Sequence, residues 1–427
     1  MAELTESNLA HIIPIVSIVL SITAHLELRV VPADRRDRSA GLCRPGGACR
    51  LLVTTAHHQL RTARSTDMTV TTSAPKRPAA QMRVPSANAP LVREAWYVVA
   101  ARTEFDRTLR QRWILGEPVC FYEATDGTLV VLDDRCAHRR FPLSRSELDG
   151  DVIRCGYHGF EYGKDGRCVA VPVGRPDSIR VRAYPAVQRG PWVWIWTGAD
   201  PDSADPSLIP WPSRETEGGH YISGYTSNPA NYTLVHENLL DLTHLQYVHG
   251  IIDPEYTEMA PKMMPTDELP AQFAEQSVGW RKVLGDTRLN TFAAAAGEDP
   301  DTRIRRSEFC MSVTPALNWG AQQLLPHDPA ASRLRAVTIL HCLTPADETS
   351  THQFWMYWQD VPFAMDPAVM AEFIAGIFEQ DVEALGLQQH YVESDTRKGV
   401  VEDSVRTDAP GLRLRRMLHR LAAAEQR

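Results

Sequence analysis

From Leu91 onward the chain reads as short apolar runs cut by turn residues, and this pattern holds to about Trp196. The run WYVVA opens it. Trp113 to Tyr122 and Thr128 to Asp133 have strand character, with Thr125-Asp126-Gly127 between them as a hairpin turn. Gly163 to Gly166 (GKDG) marks another turn, leading into a run from Cys168 to Val173. Trp192, Trp194 and Trp196 alternate along one segment, which is the period of a strand. Together these predict an all-β module of about 100 residues. A Pro- and Asp-rich linker, Gly198 to Pro212, closes it.

The remainder mixes periods. His236 to Val248 reads as a helix, Gln272 to Ala295 and Ser307 to Leu343 as β runs, and Gln353 to Trp358 (QFWMYW) as an aromatic strand. Pro367 to Gln389 has the stripe of a long amphipathic helix, and a short one follows at Leu412 to Ala424. No internal repeat is visible. The expected class is α+β, divided into 1–90, 91–200 and 201–427. Residues Met1 to Ser65 carry Arg clusters and no sustained period, and a Thr/Ser/Pro-rich tract runs from Met68 to about Pro90. Residues 1–90 are therefore expected to be a disordered extension. Within it, 1–67 is read either as a genuine tail or as outside the native protein, with Met68 as a plausible start.

Composition narrows the function. A net charge of −8 over 427 residues, with no basic block, gives no reason to expect nucleic-acid binding. Eight cysteines in a chain this long form no secreted framework, so they are read as cytosolic thiols, or as ligands where His lies nearby. The apolar run Ile12 to Ala24 is shorter than the roughly 20 residues a spanning helix needs, and Glu3 and Glu6 precede it instead of a basic region. A soluble, cytoplasmic protein with no membrane partner is expected.

Two constellations carry chemistry. In the first, Cys136-x-His138 is followed, after sixteen intervening residues, by Cys155-x-x-His158. Each pair sits in a loop after a strand. Two Cys and two His can hold zinc or a Rieske [2Fe–2S] cluster, in which two His replace two Cys on one iron. Zinc usually takes its Cys together and its His together. Here each pair mixes the two, as a cluster needs if each loop supplies one ligand to each iron.

The second lies in Glu237 to Gly250, ENLLDLTHLQYVHG, where Asp241, His244 and His249 stand among leucines. Buried ionisable groups are costly unless paired or metal-bound. Asp241 and His244 share a helical face, whereas His249 lies about 140° further round. Both histidines reach one ion only if the helix ends, bends or bulges near Tyr247, and Gly250 is placed to end it. On the helix from Pro367 to Gln389, Asp381 occupies a position where the apolar stripe calls for a hydrophobic residue, while Glu372, Glu379 and Glu383 fall off it. Two His and one carboxylate with open positions make the facial triad of non-haem Fe(II) oxygenases.

These motifs carry a resemblance. Residues 92 to 200 look like the Rieske domain of ring-hydroxylating and O-demethylating oxygenases. Phe141 and Tyr157 stand where respiratory Rieske proteins have two further, disulfide-bonded cysteines. D-x-x-H-x-x-x-x-H with a later Asp resembles the catalytic domain of Rieske non-haem iron oxygenases. ENLLDLTHLQYVHG, EQDVEALGLQQ and the segment running to AAAEQ look most like vanillate O-demethylase oxygenase subunits. The resemblance covers Leu91 to Arg427. One departure is Arg140-Phe141, where close relatives have smaller residues.

The resemblance implies a cluster held by Cys136, His138, Cys155 and His158, with Gly156 and Gly159 letting backbone N–H groups approach its sulfurs. It implies Fe(II) on His244, His249 and Asp381, and a helix-grip-like catalytic domain with an antiparallel sheet. Asp241 would bridge His158 of one chain to His244 of the next, and Asn238 would lie near the iron or else make a helix-face hydrogen bond. It further implies a homotrimer, a separate NADH-dependent flavin and iron–sulfur reductase, and O2-dependent oxidation of an aromatic substrate. In a vanillate-demethylase-like case, a methoxy methyl is hydroxylated to a hemiacetal that collapses to a phenol and formaldehyde. Ring or side-chain hydroxylation is the alternative. The absence of a dinucleotide fingerprint agrees with a separate reductase. Competing classes are a Rieske electron carrier, which needs no second constellation, and a structural zinc protein. Substrate-lining residues are sought in Phe309 to Leu324 and Gln353 to Trp358. Arg303, Arg305, Arg306, Arg333 and His327 are available cations but read as solvated loop residues.

Overall fold

In a computed structural model of the chain, residues 86–250, 262–288, 303–325, 335–398 and 402–426 are described. The predicted extension up to residue 85, the end of the β run at 289–295, Arg333 and His327 lie outside the described residues, as does the side chain of Arg303. Residues 86–90, expected to belong to a disordered extension, are instead packed into the fold, with Ala87 and Ala89 buried and Ala89 O and Pro90 O accepting from Asn231 and Tyr232.

The first half is built from ten short strands: β1 (Trp96–Ala101), β2 (Arg110–Ile114), β3 (Glu117–Glu123), β4 (Leu129–Asp133), β5 (Glu147–Asp149), β6 (Val152–Arg154), β7 (Glu161–Tyr162), β8 (Cys168–Ala170), β9 (Ala186–Arg189) and β10 (Trp192–Trp196). They form three small antiparallel sheets, ordered β1-β10-β9, β2-β3-β4 and β5-β6-β7-β8. β10 is central in its sheet, and every residue of Trp192–Trp196 is buried. That two-sided burial explains the apolar run there. The predicted run Trp113 to Tyr122 is cut in two. Leu115 and Gly116 turn back as a two-residue hairpin, with φ of 54° and 79°. A leucine in the left-handed region is strained and gives no turn signal in sequence. Here its N–H donates to Pro345 O at 2.8 Å and Gly116 N–H to Ala346 O at 2.7 Å, docking the turn on the second half. The run expected to reach Val173 stops at Ala170.

The second half holds a seven-stranded antiparallel sheet among the described residues. Its strands are β11 (His220–Asn228), β12 (Lys262–Met263), β13 (Ser277–Arg288), β14 (Arg303–Val313), β15 (Leu317–Leu325), β16 (Arg335–Pro345) and β17 (Thr351–Gln359), in the order β11-β17-β16-β15-β14-β13-β12. Arg305 and Arg306 therefore lie on a strand and not in a loop, and Arg306 is fully buried against Glu308. The start of the predicted β run, Ala271–Gln276, is a 3-10 turn.

Four helices matter for the site: α1 (Tyr232–Leu240), α2 (Leu245–Val248), α3 (Pro367–Lys398) and α4 (Ala409–Ala424). The sheet grips α3, the expected helix-grip arrangement. Met370, Ile374 and Phe378 pack on Ile222, Val337, Trp355 and Tyr357. Burying each such side chain stabilises by roughly 2 kcal/mol. A bidentate pair ties α4 to α1, Arg415 Nε to Glu237 Oε1 at 2.7 Å and Nη2 to Oε2 at 2.6 Å. No described helix is long and apolar enough to cross a membrane.

Candidate active site

The two Cys/His loops are built alike. Cys136 N–H donates to Phe141 O at 2.9 Å and Arg140 N–H to Cys136 O at 2.8 Å. In the second loop Cys155 N–H donates to Phe160 O at 2.8 Å and Gly159 N–H to Cys155 O at 2.9 Å. The turn needs a left-handed residue four beyond each cysteine. Gly159 supplies it at φ 71°, and Arg140 at φ 60°. The unusual arginine thus occupies the first loop's counterpart of a glycine.

Both cysteines are buried and both histidines exposed, with the rings of His138 and His158 4.7 Å apart. Phe141 and Tyr157 pack at 6.0 Å, and every described cysteine is free. Tyr162 Oη lies 3.2 Å from Cys136 Sγ. Gly156 N–H donates to Ser146 Oγ at 3.2 Å and Gly159 N–H to Cys155 O. The N–H groups bonded to the Cys155 sulfur are those of Tyr157 and His158. Glycine at 156 also allows close packing, since a Cβ there would meet Phe141 Cε1 at 3.2 Å. Soft sulfur below and two imidazoles at the surface fit an iron–sulfur cluster on this tip.

The stretch Glu237 to Gly250 is not one helix. α1 starts earlier than predicted, capped by Asn231, whose side chain accepts from Thr233 N–H. It ends at Leu240 because the sheet takes its last carbonyls. Trp280 Nε1–H donates to Leu240 O at 2.6 Å and Cys310 Sγ to Leu239 O at 3.2 Å. Asp241 then leaves helical geometry (φ −114°, ψ 95°), and its carboxylate accepts from Thr243 N–H at 2.9 Å to start a 3-10 turn, Leu242–His244. α2 follows, and Gly250 at φ 64° ends it as predicted. The break at Asp241 and the stop after Val248 let both histidines face one point.

His244 Nε2 lies 3.5 Å and His249 Nε2 3.3 Å from Asp381 Oδ1. All three ligand atoms lie within 4.8 Å of one another. Asp381 Oδ1 is buried and makes no aligned hydrogen bond. The far nitrogens are pinned, His244 Nδ1 to Asp241 O at 2.6 Å and His249 Nδ1 to Gln380 Oε1 at 2.8 Å. Those acceptors place the proton on Nδ1 and turn each Nε2 lone pair toward Asp381, as metal-binding histidines require. Metal bonds of about 2.1 Å at right angles put ligand atoms about 3 Å apart, so the donor set fits one ion. Burial pulls His244 below its usual pKa. At His249 burial acts the same way, but Asp381 and Gln380 outweigh it and the net shift is upward.

This triad lines a cavity of about 120 Å³. Leu242, Ile339, Trp355 and Phe378 are among its apolar walls, and Asn238, Gln322, Arg335, His341 and Tyr357 are its other polar side chains. Of the lining sought by sequence, Gln322, Leu324 and Trp355–Tyr357 are present. The whole β16 wall was missed. Its alternation, Arg335, Val337, Ile339, His341, is the signal that could have found it. Asp241 contacts His244 through its main-chain oxygen and not its carboxylate.

Comparison with known proteins agrees with this geometry. Residues 95–185 match the Rieske [2Fe-2S] domain, and residues 229–424 the vanillate O-demethylase oxygenase C-terminal domain. The iron-sulfur subunit of the toluene-4-sulfonate monooxygenase system of Comamonas testosteroni is 31% identical over 300 residues, covering 68% of this chain and 86% of that one. The oxygenase component of dicamba O-demethylase from Stenotrophomonas maltophilia is 29% identical over 361 residues, covering 78% and 98%. A vanillate O-demethylase oxygenase subunit of a Pseudomonas species (strain HR199) is 26% identical over 351 residues, covering 78% and 96%. The crystal structure of dicamba monooxygenase bound to 3,6-dichlorosalicylic acid superposes with a TM-score of 0.70 at 26% identity, covering 79% of this chain and 99% of that one.

Proposed function

The chain belongs to the Rieske non-haem iron oxygenases, and on that premise we propose that it O-demethylates a methoxybenzoate-type aromatic compound. It is the oxygenase component of a multi-component monooxygenase, fed by a separate reductase. The observation that carries the proposal is the convergence of His244, His249 and Asp381 on an apolar cavity. When bound, iron supplies O2 activation there and the [2Fe–2S] cluster supplies electrons one at a time.

The proposed roles follow from placement. Cys136, His138, Cys155 and His158 hold the cluster, and the exposed edges of the two imidazoles are its outlet. His244, His249 and Asp381 hold the iron, with Asp241 O and Gln380 fixing the imidazoles. Asn238, on the cavity wall, faces the reacting end. Asp241 bridges His244, held by its main-chain oxygen, to His158 of a second copy in a head-to-tail homotrimer, reached by its carboxylate. The apolar walls exclude water and seat an aromatic ring. The reductase partner is an NADH-dependent flavin and iron–sulfur protein, and the setting is cytoplasmic. The division into a cluster-bearing 91–200 and an iron-bearing 201–427 belongs to the same reading.

The test is formaldehyde release and O2 uptake with a methoxybenzoate panel and a surrogate reductase. Formaldehyde in step with O2 is expected. Hydroxylation of a methyl or ring position is the second reading, favoured by the likeness to a toluene-4-sulfonate monooxygenase subunit. Coupled O2 uptake without formaldehyde selects it and overturns demethylation.

A further inference from the structure

Arg335 opens β16 and is 1% exposed. It lines the cavity that holds the candidate iron ligands. Its Nε and Nη2 are buried and have no hydrogen-bond partner among the described residues. A buried guanidinium without a counter-charge is costly, and a protein keeps one where an anion completes it.

The neighbouring charges do not serve Arg335. Arg306 and Arg335 stand on either side of Leu324 in the sheet. The acidic side chain on this face, Glu308, is taken up by Arg306 at 3.3 Å and by Gln322 at 3.4 Å. Asp360 accepts from the Ala336 main-chain N–H at 2.8 Å. Asp381 also lines the cavity. It acts on His341, which shares a face of β16 with Arg335 but stands six residues on, about 20 Å along the strand. Gln353 Nε2 donates to His341 Nδ1 at 2.8 Å, and Gln353 Oε1 accepts from Asn228. That chain leaves the His341 proton on Nε2, so His341 stays a neutral donor. Arg335 is thus the one full positive charge among the described lining residues. Tyr357, another lining residue, is close enough to feel it.

We propose that Arg335 is the substrate's anion anchor: it binds a carboxylate or sulfonate on the aromatic ring, at the end of the cavity remote from His244, His249 and Asp381. This rests on the reading of the cavity as the substrate site. A guanidinium can take either planar or tetrahedral anions through paired N–H groups, so both classes fit. The separation along β16 also sets a preference. The anionic group and the carbon to be oxidised must lie across the ring from each other. Para-substituted substrates are therefore selected over ortho ones.

The test is calorimetric binding to the anaerobic holoenzyme, with formaldehyde assayed separately. The probes are 4-methoxybenzoate, 4-methoxybenzenesulfonate, the neutral 4-methoxybenzamide and 2-methoxybenzoate. The wild type should bind the two para anions roughly 30-fold or more tighter than the amide, as a charge-assisted hydrogen bond to a buried group implies. It should also bind 4-methoxybenzoate tighter than its ortho isomer. In Arg335→Met the anions should weaken roughly 30-fold while the amide moves less than about threefold. Arg335→Lys, which keeps the charge and loses the fork, should fall between them. If Arg335→Met loses its fold, seen as loss of cluster absorbance, the wild-type discrimination and the Lys variant carry the test. Equal binding of anion and amide by the wild type, or undiminished discrimination in Arg335→Met, overturns the proposal and leaves the demethylation reading standing. Arg335-dependent anion binding with no formaldehyde from any probe upholds the anchor and removes demethylation.

Discussion

Replacing Gln380 by leucine removes one hydrogen bond at little cost in volume. Gln380 Oε1 accepts from His249 Nδ1 at 2.8 Å, and the His249 side chain is only 1% exposed. In Gln380→Leu that N–H is buried without an acceptor, which costs about 1–3 kcal/mol. The ring can relieve the cost only by rotating, and rotation takes Nε2 away from Asp381. Loss of such a supporting partner typically weakens metal binding by about 10- to 100-fold, or about 1.4–2.7 kcal/mol. Gln380→Glu keeps an acceptor in place and adds negative charge, so it should hold iron at least as tightly as the wild type. The assay is anaerobic iron loading against a competing chelator, with cluster absorbance as internal standard. An unchanged iron affinity in Gln380→Leu, or a glutamate variant as weak as leucine, would show that Gln380 does not hold the His249 ring for metal.

Asp241→Asn should keep both centres loaded yet almost stop turnover. The atom that holds His244 is the main-chain oxygen, and asparagine can still accept from Thr243; loss of iron in this variant would make Asp241 a ligand. Tyr162→Phe removes a donor 3.2 Å from the Cys136 sulfur. The cluster should become harder to reduce, by about 40 mV for a net 1 kcal/mol, in a voltammetric titration; an unchanged or raised potential contradicts this. His236 is fully buried, bonded to Ser312 Oγ and Pro315 O, and its pKa is pulled down to about 4 by burial. The fold refuses a proton that the unfolded chain accepts below about pH 6.5, so stability present above that pH is lost as pH falls toward 4. The loss is about 3 kcal/mol in total. Urea unfolding of His236→Gln between pH 7.5 and 4.5 should show a shallower decline, and equal slopes would remove His236 from the account.

The sites were legible to the degree that chemistry departs from pattern. Asp381 stood out because a carboxylate replaced a hydrophobic residue on a helix stripe, and it is buried at the site. Paired Cys/His spacing announced the loops. The strand pattern was readable too, apart from the hairpin at Leu115-Gly116, where an apolar residue adopts a turn conformation because it docks on Pro345. The break at Asp241 was misplaced toward Tyr247. Its cause is Trp280 and Cys310 on distant strands, which no local window contains. Arg335 is not distinguishable from the other arginines in the sequence, because burial of a charged side chain depends on the sheet register. Gln380 looks like any polar helix residue until His249 is seen beside it. Residues that hold functional groups in place are set by tertiary contact, and the sequence names mainly the groups that react.

The central claim is that His244, His249 and Asp381 bind a catalytic iron separate from the cluster. Iron analysis of purified wild type and Asp381→Ala, with electron paramagnetic resonance of the reduced cluster, tests it most directly. About three irons per chain are expected in the wild type and about two in the variant, with the cluster signal kept and turnover lost. Wild-type iron content in Asp381→Ala would contradict it.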